Sequence, residues 1–450
     1  MSRARREVLR SGPGCDPGRR RWMQAAAASA VGLGLTACAG GPGAAGRAPP
    51  ARGPTIGRVV VVGGGFGGAT VARYLRLWDA RVEVTLVDRN ARYVSCPVSN
   101  LVLGGWRELA DITLSWDGLR AAGVRLLQGE VQAVDPDART VRLADGRTLA
   151  YDRLVLSPGV DFIADGIGGL PEALASGRVL HAWKAGPQTA ALRAQLQAMP
   201  DGGVVAISIP KAPYRCPPGP YERACLLASY LRAHKPRAKL LVMDANPEVQ
   251  SKKALFETAF REHHRGILEY RPNSVLTALT GTAATPLARF EFEDVQADVL
   301  NVIPPQRGAD LLKRMGLLDR AGRWVGVNWL TLEATAAPAV HVLGDAVLSA
   351  AGMPKSGHLA NQQAKLAAAA IIQLLQGLPV DPDPVLMNTC YSHTTPDKAM
   401  HVAAVYRYDA AEATFKAVAG AGGVSATDSE LEARYARGWA ENIWADSLGL

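Results

Sequence analysis

The sequence predicts an α/β chain with two nucleotide-binding-type domains, each built on a parallel sheet flanked by helices. Three observations carry that prediction. A strand, a glycine turn, a helix and a second strand run in succession through GRVVVVGGGFGGATVARYLRLWDARVEVTLVDRN (Gly57–Asn90). A second strand–helix–strand unit follows, with GGVVAISIP (Gly202–Pro210) and KLLVMDAN (Lys239–Asn246) as its strands. Two further strand-and-turn segments, YDRLVLSPG (Tyr151–Gly159) and VHVLGDAV (Val340–Val347), lie on either side of that second unit. The first domain is therefore expected to be discontinuous, over 57–168 and 309–380, with the second at 169–308 inserted into it.

Bulk composition agrees with this layout. At 450 residues the chain is long enough for two or three domains, and 48% hydrophobic with 20% charged residues reads as globular. The net charge of +9 is unevenly spread. Seven arginines against Glu7 and Asp16 give residues 1–37 a charge of +5, leaving +4 for the rest. That is too mild for a nucleic-acid partner.

The basic leader has a purpose of its own. GRRRWMQ (Gly18–Gln24) sets paired arginines before a short, alanine-rich run, and residues 1–37 resemble a twin-arginine export signal. The run is too short to span a bilayer. It ends in LTAC (Leu35–Cys38), which resembles a lipobox. Two readings stand: lipidation of Cys38, which anchors the protein to a membrane, or cleavage near Ala37 or Ala39. Both place the mature protein in the periplasm. Residues 38–56, rich in glycine, alanine and proline, read as a flexible tether.

Gly63, Gly65 and Gly68 satisfy G-x-G-x-x-G, and Asp88 lies twenty residues beyond Gly68. Glycine admits a pyrophosphate close to the backbone, the helix N-terminus favours its charge, and the carboxylate can hold a ribose hydroxyl. YDRLVLSPG and VHVLGDAV look like the remaining signatures of two-dinucleotide-domain flavoproteins, with Asp345 set against the ribityl chain. The expected cofactor is FAD. The MPKSG loop (Met353–Gly357) precedes a long helix whose N-terminus faces the flavin in such proteins. Lys355 in that loop either supports negative charge on the flavin or is simply solvated. In the second domain the loop after Gly202–Pro210 reads KAPYRCPP, whose prolines remove the backbone donors a phosphate needs. No nicotinamide site is expected there.

Six cysteines occur, at 15, 38, 96, 216, 225 and 390; the first two fall in or beside the leader. No C-x-x-C-H occurs, so the chain carries no c-type haem of its own. RYVSCPVSNLVLGG, HAWKAGPQT, APYRCPPGPYERA, NVIPPQR, MPKSG and LMNTCYS appear in that order. Together they resemble the flavoprotein subunit of flavocytochrome c sulfide dehydrogenase, over about Gly57 to Asp446. The resemblance implies a glutathione-reductase-like pair of Rossmann-like domains with a C-terminal interface domain at 381–450. It implies FAD attached covalently through Cys96, and a redox-active disulfide between Cys216 and Cys390 that oxidises hydrogen sulfide to sulfane sulfur or polysulfide. It implies Glu222 as the proton-transfer carboxylate, Trp439 beside the flavin, and a separate c-type cytochrome subunit as electron acceptor.

Each assignment has a plainer alternative. Cys96 can be a small buried thiol. A Cys216–Cys390 bridge can be structural, since closing so long a loop stabilises by about 4–5 kcal/mol. Glu222 can be a solvated helix-start residue and Trp439 a core anchor. Cys225 departs from the family pattern and reads as an inert buried thiol or a rival pairing partner. His181, His358 and His393 show no metal-ligand spacing, and no metal is assigned. Rival functions are a sulfide:quinone reductase, an NADH-dependent disulfide reductase, and a flavin-bearing subunit without catalysis.

Overall fold

The structure, a computed structural model, describes residues 53–282 and 286–450. The expected export signal, Cys38 and most of the tether lie outside the described residues.

The first sheet has five parallel strands in the order Val340–Val342, Arg153–Leu156, Gly57–Val62, Val82–Asp88 and Arg125–Gln128. Its central strand, GRVVVV, is buried at all but one position. A near-continuous valine run of this kind belongs to a sheet covered on both faces. Each such side chain contributes about 1.5–3 kcal/mol by leaving water. The Phe66–Trp78 helix packs on this sheet and against the Gly357–Leu375 helix, whose alanine-rich buried face allows a close approach. Because Val340–Val342 pairs with Arg153–Leu156, the late chain returns to the first sheet.

The second sheet is also parallel, ordered Leu268–Arg271, Lys239–Asp244, Val204–Ile209 and Val299–Val302. The Gly219–His234 helix connects its two central strands and holds Cys225 fully buried. An antiparallel sheet of Leu276–Gly281, Pro286–Phe290 and Asp294–Gln296 adjoins it in sequence.

The C-terminal region forms a third unit, an antiparallel sheet of Val385–His393, Ala399–Asp409 and Thr414–Val424 followed by the Glu430–Leu448 helix. Ser429 caps that helix by accepting from the Glu432 N–H at 3.2 Å. The helix returns to the first domain. Trp444 Nε1 donates to Ser95 Oγ at 2.9 Å, and Asp446 takes a hydrogen bond from Asn361 Nδ2 at 2.7 Å and an ion pair from Lys365 at 2.9 Å. Tyr406 and Trp444 of this region are buried in the first core.

Candidate active site

One cavity of about 1300 Å³ collects residues from all three regions, among them Gly63, Gly65, Asp88, Cys96, Cys216, Glu222, Asp345, Cys390 and Trp439. These positions span nearly four hundred residues of sequence.

The floor of the cavity is the glycine turn. Gly63 has φ +95, and a Cβ there would lie 2.4 Å from Ser157 O. A Cβ on Gly68 would lie 1.7 Å from Gly63 O, so this glycine lets the helix sit on the strand rather than lining the cavity. Gly65 lines the cavity with no atom within 4 Å of its added Cβ. Asp88 closes the second strand; its Oδ2 accepts from Gly64 N at 2.6 Å and its Oδ1 from Asn90 N at 2.7 Å. Across the cavity, Asp345 Oδ1 is buried with no hydrogen-bond partner. Burial raises the Asp345 carboxyl, against the opposing pull of Arg215 and Lys355. A bare glycine cradle, an acid at the strand end and an unpartnered buried acceptor are what a dinucleotide with a ribityl chain requires. The residues fit FAD.

Cys96 follows the short Tyr93–Val94 strand, and its Sγ accepts from Ala185 N and from Arg215 Nη2, both at 3.4 Å. Arg215 also donates to Trp183 O. Burial works against the Arg215 charge, yet Cys96, Asp345 and Cys216 together raise its pKa above the usual value.

Cys216 sits in the left-handed region at φ +56, which costs a residue with a Cβ roughly 1–2 kcal/mol. Its N–H donates to Lys355 O and its carbonyl accepts from Gly219 N, each at 2.8 Å. Gly219 makes room for the sulfur, since a Cβ there would lie 2.8 Å from Cys216 Sγ. Burial, then the neighbouring Cys390 and Glu222, pushes the Cys216 thiol up to about 12. Cys390 lies on the Val385–His393 strand, where Asn388 Nδ2 reaches its Sγ at 3.4 Å. The structure describes Cys216 and Cys390 as free cysteines, not joined in the bridge the resemblance implies.

Glu222 is half-buried, not solvated: Asn100 Nδ2 donates to Oε2 at 2.8 Å and His393 N to Oε1 at 2.9 Å. Its neighbour Arg223 is 2% exposed, bound to Asn100, His181, Ala182 and Asn301 oxygens, and burial lowers it to about 9. Trp439 lines the cavity and also packs against the first core.

Lys355 requires correction. It is 6% exposed, not solvated, and its side chain is not part of the cavity lining. The Nζ donates to Val347 O and lies 3.7 Å from the Trp324 ring centroid. The aromatic face holds the cation in place. Besides its charge beside Asp345, Lys355 gives the site its carbonyl, which positions Cys216. His181, His358 and His393 bind backbone or ring neighbours, and no metal-binding group of acids, cysteines and histidines occurs among the described residues.

The second domain is closed where the first is open. Asp244, at the strand end equivalent to Asp88, is fully buried and accepts from Tyr221 OH at 2.7 Å, Tyr270 OH at 2.9 Å and Asn246 Nδ2 at 2.7 Å. Sequence reasoning passed over Arg215, Asn100 and this tyrosine cage. Arg215 and Asn100 had a visible signal, standing beside Cys216 and Cys96 within the quoted motifs APYRCPPGPYERA and RYVSCPVSNLVLGG.

Comparison with known proteins agrees with the geometry. Residues 189–304 match the family described as "Sulfide dehydrogenase (flavocytochrome c) flavoprotein chain, central". Residues 382–448 match "Flavocytochrome c sulphide dehydrogenase, flavin-binding", and 57–190 match "Pyridine nucleotide-disulphide oxidoreductase". The chain is 60% identical over 45 residues to the sulfide dehydrogenase flavoprotein chain of Chlorobaculum thiosulfatiphilum, covering 10% of this chain and 94% of that sequence. It is 27% identical over 301 residues to mitochondrial sulfide:quinone oxidoreductase of Mus musculus, covering 64% of this chain and 65% of the mouse protein. The sulfide:quinone oxidoreductase structure from Aquifex aeolicus superposes with a TM-score of 0.69 at 19% identity, covering 87% of this chain and 92% of that one. At that identity the likeness is one of fold.

Proposed function

The chain belongs to the flavoprotein family of flavocytochrome c sulfide dehydrogenase, and we propose that it oxidises hydrogen sulfide at the Cys216–Cys390 pair and passes the electrons through FAD to a separate c-type cytochrome subunit. The observation that carries this reading is the convergence of Cys216, Cys390 and Glu222 on the same cavity as Gly63, Asp88 and Asp345.

FAD, when bound, supplies a two-electron acceptor that can release electrons singly. The remaining work falls to the chain. The sulfur pair takes the nucleophilic sulfide by thiol–disulfide exchange. Glu222, fixed by Asn100 and His393, moves the proton of hydrogen sulfide or of a released thiol. Arg215 lies between Cys96 and Cys216 and holds positive charge next to both sulfurs. Covalent attachment through Cys96 fits its place at the cavity wall. Export by the twin-arginine route to the periplasm, with or without a lipid on Cys38, completes the proposal. The likeness to sulfide:quinone oxidoreductases keeps a quinone as the second candidate acceptor.

The test is an anaerobic absorbance titration with sulfide beside an NADH control, followed by addition of cytochrome c or a soluble quinone. Sulfide bleaches the flavin band, NADH leaves it, and cytochrome c restores it. Cys216→Ser abolishes bleaching by sulfide while dithionite still bleaches. Bleaching by NADH alone would overturn the reading, and restoration by quinone only would replace the acceptor. Flavin that is released by acid denaturation would refute the Cys96 linkage.

A further inference from the structure

Lys252 is a buried cation with no part in the reading above. It stands at φ +53 where the Lys253–Glu262 helix begins, and is 8% exposed. Its Nζ donates to Cys390 O at 2.9 Å and Ser392 Oγ at 2.8 Å, and lies 6.0 Å from the Phe256 ring centroid. None of these partners carries charge. An ammonium taken out of water needs a counter-charge.

The titratable groups facing it come from every side: Cys390 from the Val385–His393 strand, Glu222 from the Gly219–His234 helix, Cys216 from the loop before that helix, and Glu432 from the C-terminal helix. Glu222 is held by Asn100 and His393, and Glu432 by His401 and Ser425. The two thiols are the groups whose ionisation the ammonium can change. Against the burial that disfavours a Cys390 thiolate, Lys252 is the leading opposing influence, with Asn388 and Ser356 adding hydrogen bonds. At Cys216 it ranks behind Arg215.

We propose that Lys252 is a positioning residue that holds Cys390 as the thiolate when the Cys216–Cys390 pair opens. The inference rests on the pair being the redox centre. Hydrosulfide then forms a bond to Cys216 Sγ, the Cys216–Cys390 bond breaks, and the electron pair of that bond stays on Cys390 Sγ. The incoming sulfur is oxidised, Cys390 is reduced, and the proton remains on the new persulfide. The sulfur with the better stabilised thiolate leaves faster. Lys252 does not line the cavity, so it acts from behind the strand without touching substrate. Burial, opposed by the thiols and carboxylates, lowers Lys252 to about 8, so its charge is present at neutral pH and fades above it.

The experiment is site-resolved alkylation of the reduced, flavin-loaded full chain with iodoacetamide from pH 6 to 10, read by mass spectrometry. In the unaltered protein Cys390 is alkylated ahead of Cys216. Lys252→Met slows Cys390 alkylation about tenfold at pH 7, the effect of one unit in its pKa, and Lys252→Arg restores it. An unchanged Cys390 profile in folded Lys252→Met, or Cys216 as the faster thiol in the unaltered protein, overturns the proposal. Should Lys252→Met not fold, the ranking in the unaltered protein decides alone. Failure of the sulfide reading is distinct: sulfide does not bleach the flavin while the alkylation order stands.

Discussion

The two strand–helix–strand halves share a topology and differ in what they leave open. In the first, the chain turns from Val62 into the helix at Phe66 through glycines, and Asp88 borders the cavity. In the second, Ile209 is followed by Pro210, Pro213, Pro217 and Pro218 before the helix at Gly219, and Asp244 is sealed under two tyrosines. The difference teaches that a nucleotide site is not a property of the sheet. It needs free backbone donors, a missing Cβ and an acid with capacity to spare. Where those are removed, the same scaffold presents a cysteine instead.

The largest effect should come from violating the open half. Gly68→Ala drives a methyl into Gly63 O, a backbone atom that cannot move aside, and should yield protein without flavin absorbance. A fully flavin-loaded Gly68→Ala protein would break the comparison at its base. Next is the closed half. Tyr221→Phe takes one donor from buried Asp244 and should cost about 1–3 kcal/mol in a denaturant titration, with flavin content unchanged and NADH still inert. If NADH bleached that variant, Asp244 would be a latent ribose site rather than a structural knot.

The smallest effect concerns Lys355. Lys355→Met loses the contact with Trp324 but also a buried charge, so stability at pH 7 should change by no more than about 1 kcal/mol. Its pH dependence is more telling. Burial lowers Lys355 from 10.5 to about 8, so between those values the unfolded chain binds the extra proton. The unaltered protein should gain stability as pH rises from 8 to 10.5, and this contribution is lost as pH falls through 8. Thermal melts of the variant across that window should lack the gain.

Much of the site was legible because its parts carry local backbone demands. Gly63, Gly65 and Gly68 announce a turn, prolines around Cys216 announce a blocked one, and each is readable from a few residues. The family motifs brought Cys96, Cys216 and Cys390 to one place although the segments between them are long. What escaped was set by packing at a distance. Solvation was one of two readings for Lys355 and Lys252 carried no signal at all, yet Trp324 captures the first and Cys390 O with Ser392 Oγ the second. The Asp244 cage needs Tyr270 from another strand. Side-chain direction at such points depends on partners that no sequence window contains.

The docking of the Glu430–Leu448 helix against Ser95, Asn361 and Lys365 has a consequence for biosynthesis. The wall that carries Trp439 and Trp444 is the last of the cavity to be made. While the chain is still emerging, the glycine turn and Cys96 are present but the chamber around them is unfinished. The chamber is complete only once the C-terminal helix has docked against Ser95 and Asn361.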